Sequence, residues 1–371
     1  MQFFRQIGLT FQQRKELQPF WTASQAVWRT HRSKVLVLGG FLVTVVMMQL
    51  LVQVLLNLWN RNFFDALERR DAHALWVQIQ LFVPLAAGSI FLAATSVWGR
   101  MTAQRGWRAA LTRHIIGKWL ANGRHARLNG MMHGTENPEY RIAVDVRIST
   151  DAPVDLALAL FASLVTAFTF FGVLWTVGGS IDVPVFGMTL TVPGYLVIGV
   201  ILYSTLMSGL MTVVGHHLAA VIERLNQSDA ELRAAADAFR GEQPAAAAHI
   251  AEGLKRTELS LKLQAALLWW RELCWQLMRT TLISHGNSLL APVVAWVLCV
   301  PKYLSGTMTL GELTQTAAAF VTVQSAFNWL VDNYQRLADW RSSAHRVSTL
   351  VAALDDLGKT EELAPPAAER S

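Results

Sequence analysis

Apolar residues fill this chain in long blocks rather than in the short alternating stripes of a water-soluble fold. Residues 35–59 and 74–98 contain no Asp, Glu, Lys or Arg, and 156–177 is equally free of charge. A helix needs about 20 such residues to cross a hydrocarbon core about 30 Å thick, at about 1.5 Å rise per residue. Each block therefore predicts a membrane span. The uncharged stretch between Asp182 and Glu223 is longer than one span, and Pro184, Gly187 and Pro193 break it early, which places a fourth helix at 193–215. Residues 280–301, with Pro292 inside, predict a fifth. The sixth, 313–331 between Glu312 and Asp332, is the most polar. The fold class expected is all-α and polytopic, a six-helix transmembrane domain over residues 35–334.

Two connections are too long to be simple turns. Residues 99–155 and 216–279 run for 57 and 64 residues, whereas neighbouring helices are usually joined by about 2–8. Each reads as a helical hairpin with one break, at Gly134-Thr135-Glu136-Asn137-Pro138 and at Gly241-Glu242-Gln243-Pro244. Arms of that length carry the spans roughly 30 Å beyond the bilayer. In the first hairpin Arg141/Asp145 and Arg147/Asp151 stand four apart, as on a solvated helix face. Residues 1–34 form an N-terminal segment in which Phe4, Ile7 and Phe11 make an apolar stripe, with Arg5, Gln12 and Arg14 turned away. That pattern predicts an amphipathic helix, either lying on the membrane surface or packed on the protein itself, with Gly8 weakening it. Residues 335–371 form a C-terminal tail.

Composition and charge decide the orientation. The chain is 53% apolar and only 16% charged, against about 25% charged in soluble proteins. Its net charge of +6 is not spread as a nucleic-acid surface would be. Of the 32 Lys and Arg residues, 28 fall in the termini and the two long hairpins, and 4 in the alternate loops. By the positive-inside rule both termini and both hairpins are expected in the cytoplasm. No uninterrupted apolar core precedes the first span, so no cleavable signal is expected. The two cysteines, Cys274 and Cys299, suggest neither a disulfide framework nor a zinc site.

Six spans with cytoplasmic termini and extensions after spans two and four resemble the membrane half of an exporter-type ABC transporter. Particular residues narrow the likeness. Trp59-Asn60-Arg61-Asn62-Phe63-Phe64-Asp65-Ala66-Leu67 resembles the outer-loop signature of the SbmA/BacA-like branch, which shares its membrane domain with peroxisomal-type ABC transporters. Asn137-Pro138-Glu139-Tyr140-Arg141-Ile142 with Asp145 is similar to that branch's first cytoplasmic motif. Pro301-Lys302-Tyr303, Leu310-Gly311-Glu312-Leu313-Thr314-Gln315, Ala319-Phe320 and Trp340-Arg341 through Arg346-Val347 complete a resemblance running from about residue 30 to 354. The second hairpin, around Leu232–Glu242, departs from it: it is short, and keeps Arg240-Gly241-Glu242 in place of the Arg-Glu-Asn-Ala-Glu run of ATPase-fused relatives. A search for a phosphate-binding loop finds only Ala353 to Thr360, with Ala where the first glycine is required. The resemblance to members without an ATPase implies a homodimer in the bacterial inner membrane that imports peptides or peptide-like compounds, antimicrobial peptides included, on the proton gradient. The alternative is a transmembrane subunit whose ATPase is a separate polypeptide.

The residues that such transport would use can be sought by their chemistry. Gln49, Gln53 and Asn57 recur at four-residue spacing in the first span, and Gln324, Asn328, Asp332 and Gln335 follow one face of the sixth helix. Amides in hydrocarbon need partners or water. These stripes either line a peptide path or join helices, at roughly 0.6–2 kcal/mol per contact. Proton coupling needs a carboxylate whose pKa is raised by burial. The candidates are Asp332, Glu272 among Trp269, Trp270 and Trp275, and Glu242. Their structural alternatives are a hydrated helix end, pairing with Arg271 or Arg279, and a turn cap respectively. His285 with Asn287 is either a proton relay or a packing pair. Adjacent His216 and His217 do not share a helix face. No cofactor and no metal site is expected, and no hydrolase motif occurs.

Overall fold

The computed structural model of this chain describes residues 16–30, 32–128, 137–185, 188–240 and 248–363. The helices among them are α1 (Gln18–Thr30), α2 (Arg32–Glu68), α3 (Ala72–Leu120), a short α4 (Arg124–Leu128) and α5 (Pro138–Gly178). Strands β1 (Ser180–Val185) and β2 (Met188–Pro193) follow, then α6 (Tyr195–Gly215), α7 (Leu218–Arg240), α8 (Ala248–Leu304) and α9 (Leu310–Leu363). The all-α expectation holds, with one small hairpin added. Among the described residues five helices are long and apolar enough to cross a bilayer: Arg32–Glu68, Ala72–Leu128, Pro138–Gly178, Tyr195–Ala238 and Gly253–Leu304. The expected sixth span, 313–331, is helical within α9, where Gln315, Thr316, Gln324 and Asn328 dilute its apolar character. With 57 residues, α8 is roughly 85 Å long, far beyond the thickness of a bilayer. The amphipathic stripe at Phe4–Phe11 and the break at Gly241–Pro244 lie outside the described residues.

The chain divides into two compact units, residues 1–169 with 332–371, and residues 170–331. In the first, α2 and α3 form an antiparallel pair joined by a tight turn in which Arg70 takes a positive φ of 56°. Asp71 caps α3 by accepting a hydrogen bond from the Ala74 N–H at 3.0 Å. The Trp59–Leu67 motif continues α2. Its Trp59 indole N–H donates to the Gln78 carbonyl at 2.7 Å, and the ring lies 4.8 Å from that of Phe82.

Beyond the apolar blocks this unit builds a core like that of a soluble protein. Phe20 of α1, Leu111 and Ile115 of α3, Val146 of α5, and Val347 and Leu350 of α9 are all fully buried in one cluster. Each such side chain contributes about 1.5–3 kcal/mol on burial. Ser348 pins α1 to α9, its hydroxyl donating to the Glu16 carbonyl at 2.6 Å and accepting from the Phe20 N–H at 3.4 Å. The apolar blocks themselves look outward instead: Val37, Phe91 and Phe168 are exposed by 74%, 70% and 74%. Apolar surface on that scale requires a lipid cover.

In the second unit the predicted loop at 178–192 contains the antiparallel pair β1–β2, in register from Ser180↔Pro193 to Val185↔Met188. Alternation in Ile181-Asp182-Val183 and Thr189-Leu190-Thr191 carries the strand signal, hidden by the longer apolar runs on either side. Gly194 ends the hairpin at φ 61°, and a Cβ there would come within 2.3 Å of the Trp175 ring. Lys302 closes the same end by donating to the Gly178 carbonyl at 2.6 Å. The Thr309 to Glu312 segment forms a reciprocal capping box at the start of α9. The Glu312 N–H donates to Thr309 Oγ1 and the Thr309 N–H to Glu312 Oε2, each at 3.1 Å. Helices α7 and α8 pack along each other, with a Glu231–Lys262 ion pair at 2.9 Å and Arg224 stacked 4.9 Å above the Trp269 ring.

Candidate functional site

Two motifs separated by about two hundred positions meet in the first unit. Residues Arg141–Asp145 form one turn of π-helix leading into α5, a deviation that widens the helix and reaims its side chains. Asp145 is fully buried, and the Arg346 guanidinium grips it with two hydrogen bonds, Nε–H to Oδ2 at 2.8 Å and Nη2–H to Oδ1 at 2.6 Å. Arg346 also donates to Ser342 Oγ at 2.6 Å and to Ser343 Oγ at 3.0 Å. Its hydrogen bonds to Asp145 hold the Arg346 guanidinium above its ordinary pKa. Arg141 donates to Thr349 Oγ1 at 2.9 Å and to the Arg346 carbonyl at 3.3 Å. The solvated-face reading of Arg141/Asp145 is therefore corrected: both side chains are buried, and the carboxylate serves α9 rather than its own helix.

A second tie sits at the membrane end of the same unit. Asp155 accepts hydrogen bonds from Gln104 Nε2 at 2.8 Å, Arg336 Nη2 at 2.8 Å and Arg100 Nη1 at 3.3 Å, which joins α3, α5 and α9 through one carboxylate. Between the two ties lies a cleft of about 470 Å³ whose walls include Arg147, Asp151, Arg336, Asp339 and Arg346. Desolvation pushes the Asp151 carboxyl up from the usual range, against the pull of Arg108 and Arg147. The sequence reading passed over Asp155, although its position just before a charge-free span, like that of Arg100 just after one, is a visible signal.

The predicted transport residues distribute differently. In α2, Gln49 is half-buried, Gln53 exposed and Asn57 buried. In the second unit Gln324 is buried, and its amide Nε2 has no hydrogen-bond partner among the described residues, while Asn328 is half-buried. Asp332 is exposed and forms no ion pair among the described residues. Desolvation by the surrounding chain raises its pKa. Glu272 is exposed, and Glu242 lies outside the described residues. Asn287, paired in the sequence reading with His285, instead accepts a hydrogen bond from the Tyr203 hydroxyl at 2.9 Å and joins α6 to α8, while His285 is exposed. Among the described residues no cluster of His, Cys, Asp and Glu is suited to a metal ion.

Long apolar helices that continue into a packed polar and apolar block define a multi-pass membrane domain of the transporter class. Residues 25–304 match the family described as ABC transporter transmembrane region 2, and the chain belongs to that family. It is 26% identical over 332 residues to the inner membrane ABC transporter ATP-binding protein YddA of Escherichia coli strain K12, covering 87% of this chain and 57% of the relative. An uncharacterized ABC transporter ATP-binding protein of Synechocystis, sll0182, is 23% identical over 318 residues, covering 85% and 45%. ABC transporter D family member 2 of Arabidopsis thaliana, a chloroplastic protein, is 20% identical over 315 residues, covering 84% and 40%. The chain thus spans about half the length of these relatives.

Proposed function

We propose that this chain is the membrane-spanning part of an ABC-type transporter in the bacterial inner membrane, moving peptides or peptide-like compounds and energised by an ATP-hydrolysing domain or subunit that works with it. The observation that carries this reading is the family match over residues 25–304, together with relatives named as ATP-binding proteins of which the matched regions make up only 57% and 45%. Six crossings per chain, with both termini in the cytoplasm, agree with the charge distribution. A two-fold homodimer doubles the helices to a number able to surround a peptide. The unpartnered Gln324 amide supports a polar path, because a buried donor in a span costs free energy until water, substrate or a second copy meets it. The Asp145–Arg346 and Asp155 ties support a stiff cytoplasmic block able to pass motion into the spans.

A second reading, import driven by the proton gradient as in the SbmA/BacA-like resemblance, is favoured by Asp332, a carboxylate of raised pKa that ends the amide stripe of α9. One proton crossing 100 mV supplies roughly 2.3 kcal/mol, enough for nearly fifty-fold accumulation of a neutral substrate. Uptake of a labelled peptide by membrane vesicles made with and without this chain separates the two. Transport that requires ATP, stops with vanadate and ignores a protonophore supports the ATPase reading. Transport by proteoliposomes holding this chain alone, collapsing with the pH gradient, overturns it in favour of the second. Native mass of the purified protein tests the homodimer.

A further inference from the structure

The first unit contains a groove of about 790 Å³, bounded by Trp21 and Trp28 of α1, Lys34 and Leu42 of α2, and Trp107 and Arg113 of α3. Its surface is almost wholly apolar. The two exceptions of consequence are Lys34 and Arg113, and no carboxylate among the described residues stands on its wall. Neither cation takes part in an ion pair among the described residues; Arg113 donates only to the Ala109 carbonyl of its own helix, at 3.1 Å. The groove therefore offers an apolar trough with positive charge on its walls.

Its position says what meets it. Lys34 is the last charged residue before the block 35–59, and Arg100 is the first after the block 74–98, so α2 and α3 leave the hydrocarbon beside the groove. Leu42 and Val43 continue its wall into the apolar block. Helix α1 is amphipathic about this boundary: Phe20, Ala23 and Ser24 enter the core, while Trp21, Val27 and Trp28 line the groove. Trp is the residue type that prefers the headgroup level, and Lys and Arg favour the anionic cytoplasmic leaflet.

We propose that this groove binds one anionic phospholipid of the cytoplasmic leaflet, an acyl chain lying along Leu38, Leu42 and Val43 and the phosphate meeting Lys34 and Arg113. The occupant follows from charge complementarity together with depth: a free anion would not use the apolar trough, and a zwitterionic lipid would gain little from two unopposed cations. Bound there, the lipid joins α1 to the first two spans and gives the transport domain a dependence on membrane composition that does not rely on its energy source.

The test uses the full chain in detergent, titrated with phosphatidylglycerol or phosphatidylcholine and read by native mass spectrometry, with thermal unfolding alongside. Lys34→Gln with Arg113→Gln removes charge from two exposed side chains and should weaken phosphatidylglycerol binding about thirty-fold, at roughly 1 kcal/mol per cation, while leaving phosphatidylcholine unchanged. Gly106 lies on the groove wall and a Cβ there meets nothing within 4 Å, so Gly106→Leu projects into the groove without a backbone clash. It should abolish retention of the tightly bound lipid while unfolding stays cooperative. Equal binding of the two lipids by the unaltered protein, or full phosphatidylglycerol retention by Gly106→Leu, would overturn the proposal. A Gly106→Leu protein that loses its dimer but keeps its lipid would assign the groove to a second copy instead.

Discussion

Replacing either partner of the Asp145–Arg346 pair should have unequal consequences, because the two ends differ in their access to water. Asp145 is fully buried, whereas the Arg346 side chain is 41% exposed. Arg346→Met strands a carboxylate without its two charge-assisted hydrogen bonds. Breaking a buried pair in this way costs about 3–5 kcal/mol, and the partial exposure of the pair puts the expectation at the lower end, about 3. Asp145→Asn preserves shape and leaves a guanidinium that can rehydrate, so its cost should be about 1–2 kcal/mol. The double variant should be less damaging than the sum by about 1–2 kcal/mol, since the stranded charge is gone. Thermal unfolding in detergent measures the three values, and hydrogen exchange over residues 138–150 and 340–350 shows whether the loss is local. Equal single-variant costs or strict additivity would refute the reasoning.

Three other outcomes are expected. Topology reporters placed after Asp71, within 178–192 and after Ser305 should read outside, and those after Gly130, Gln243 and Ser371 inside; an inside signal from 178–192 would remove the six-span arrangement. Thr309→Ala and Glu312→Ala should each cost about 1 kcal/mol and increase exchange in the first turn of α9, because each deletes one arm of the capping box. Asp332→Asn should be neutral or slightly stabilising at pH 7. The raised folded pKa favours the neutral acid, an advantage present at low pH and lost as pH rises through that pKa. The same variant should abolish gradient-driven uptake only if the second reading holds, which a protonophore-sensitive assay would reveal.

The charge-free blocks and their flanking cations were legible because membrane insertion imposes a local rule: about 20 residues without charge, whatever their neighbours. The capping box at Thr309–Glu312 went unread in the sequence, although its partners stand only three residues apart. The strands β1 and β2 were passed over because six-residue segments between spans carry little signal beside the blocks that flank them. What sequence spacing could not decide is which partner a charged residue takes. Arg141 and Asp145 fit an i,i+4 pair, yet the π-turn separates their roles and brings Asp145 to Arg346, 201 positions away. Asp155 likewise reads as the boundary of a span, and only packing makes it the junction of α3, α5 and α9. The groove of α1, α2, α3 and α5 combines residues from four helices whose facing sides no periodicity specifies. Local rules select helices and their depth in the membrane; the balance of desolvation against pairing, set by close packing, selects which buried charges meet.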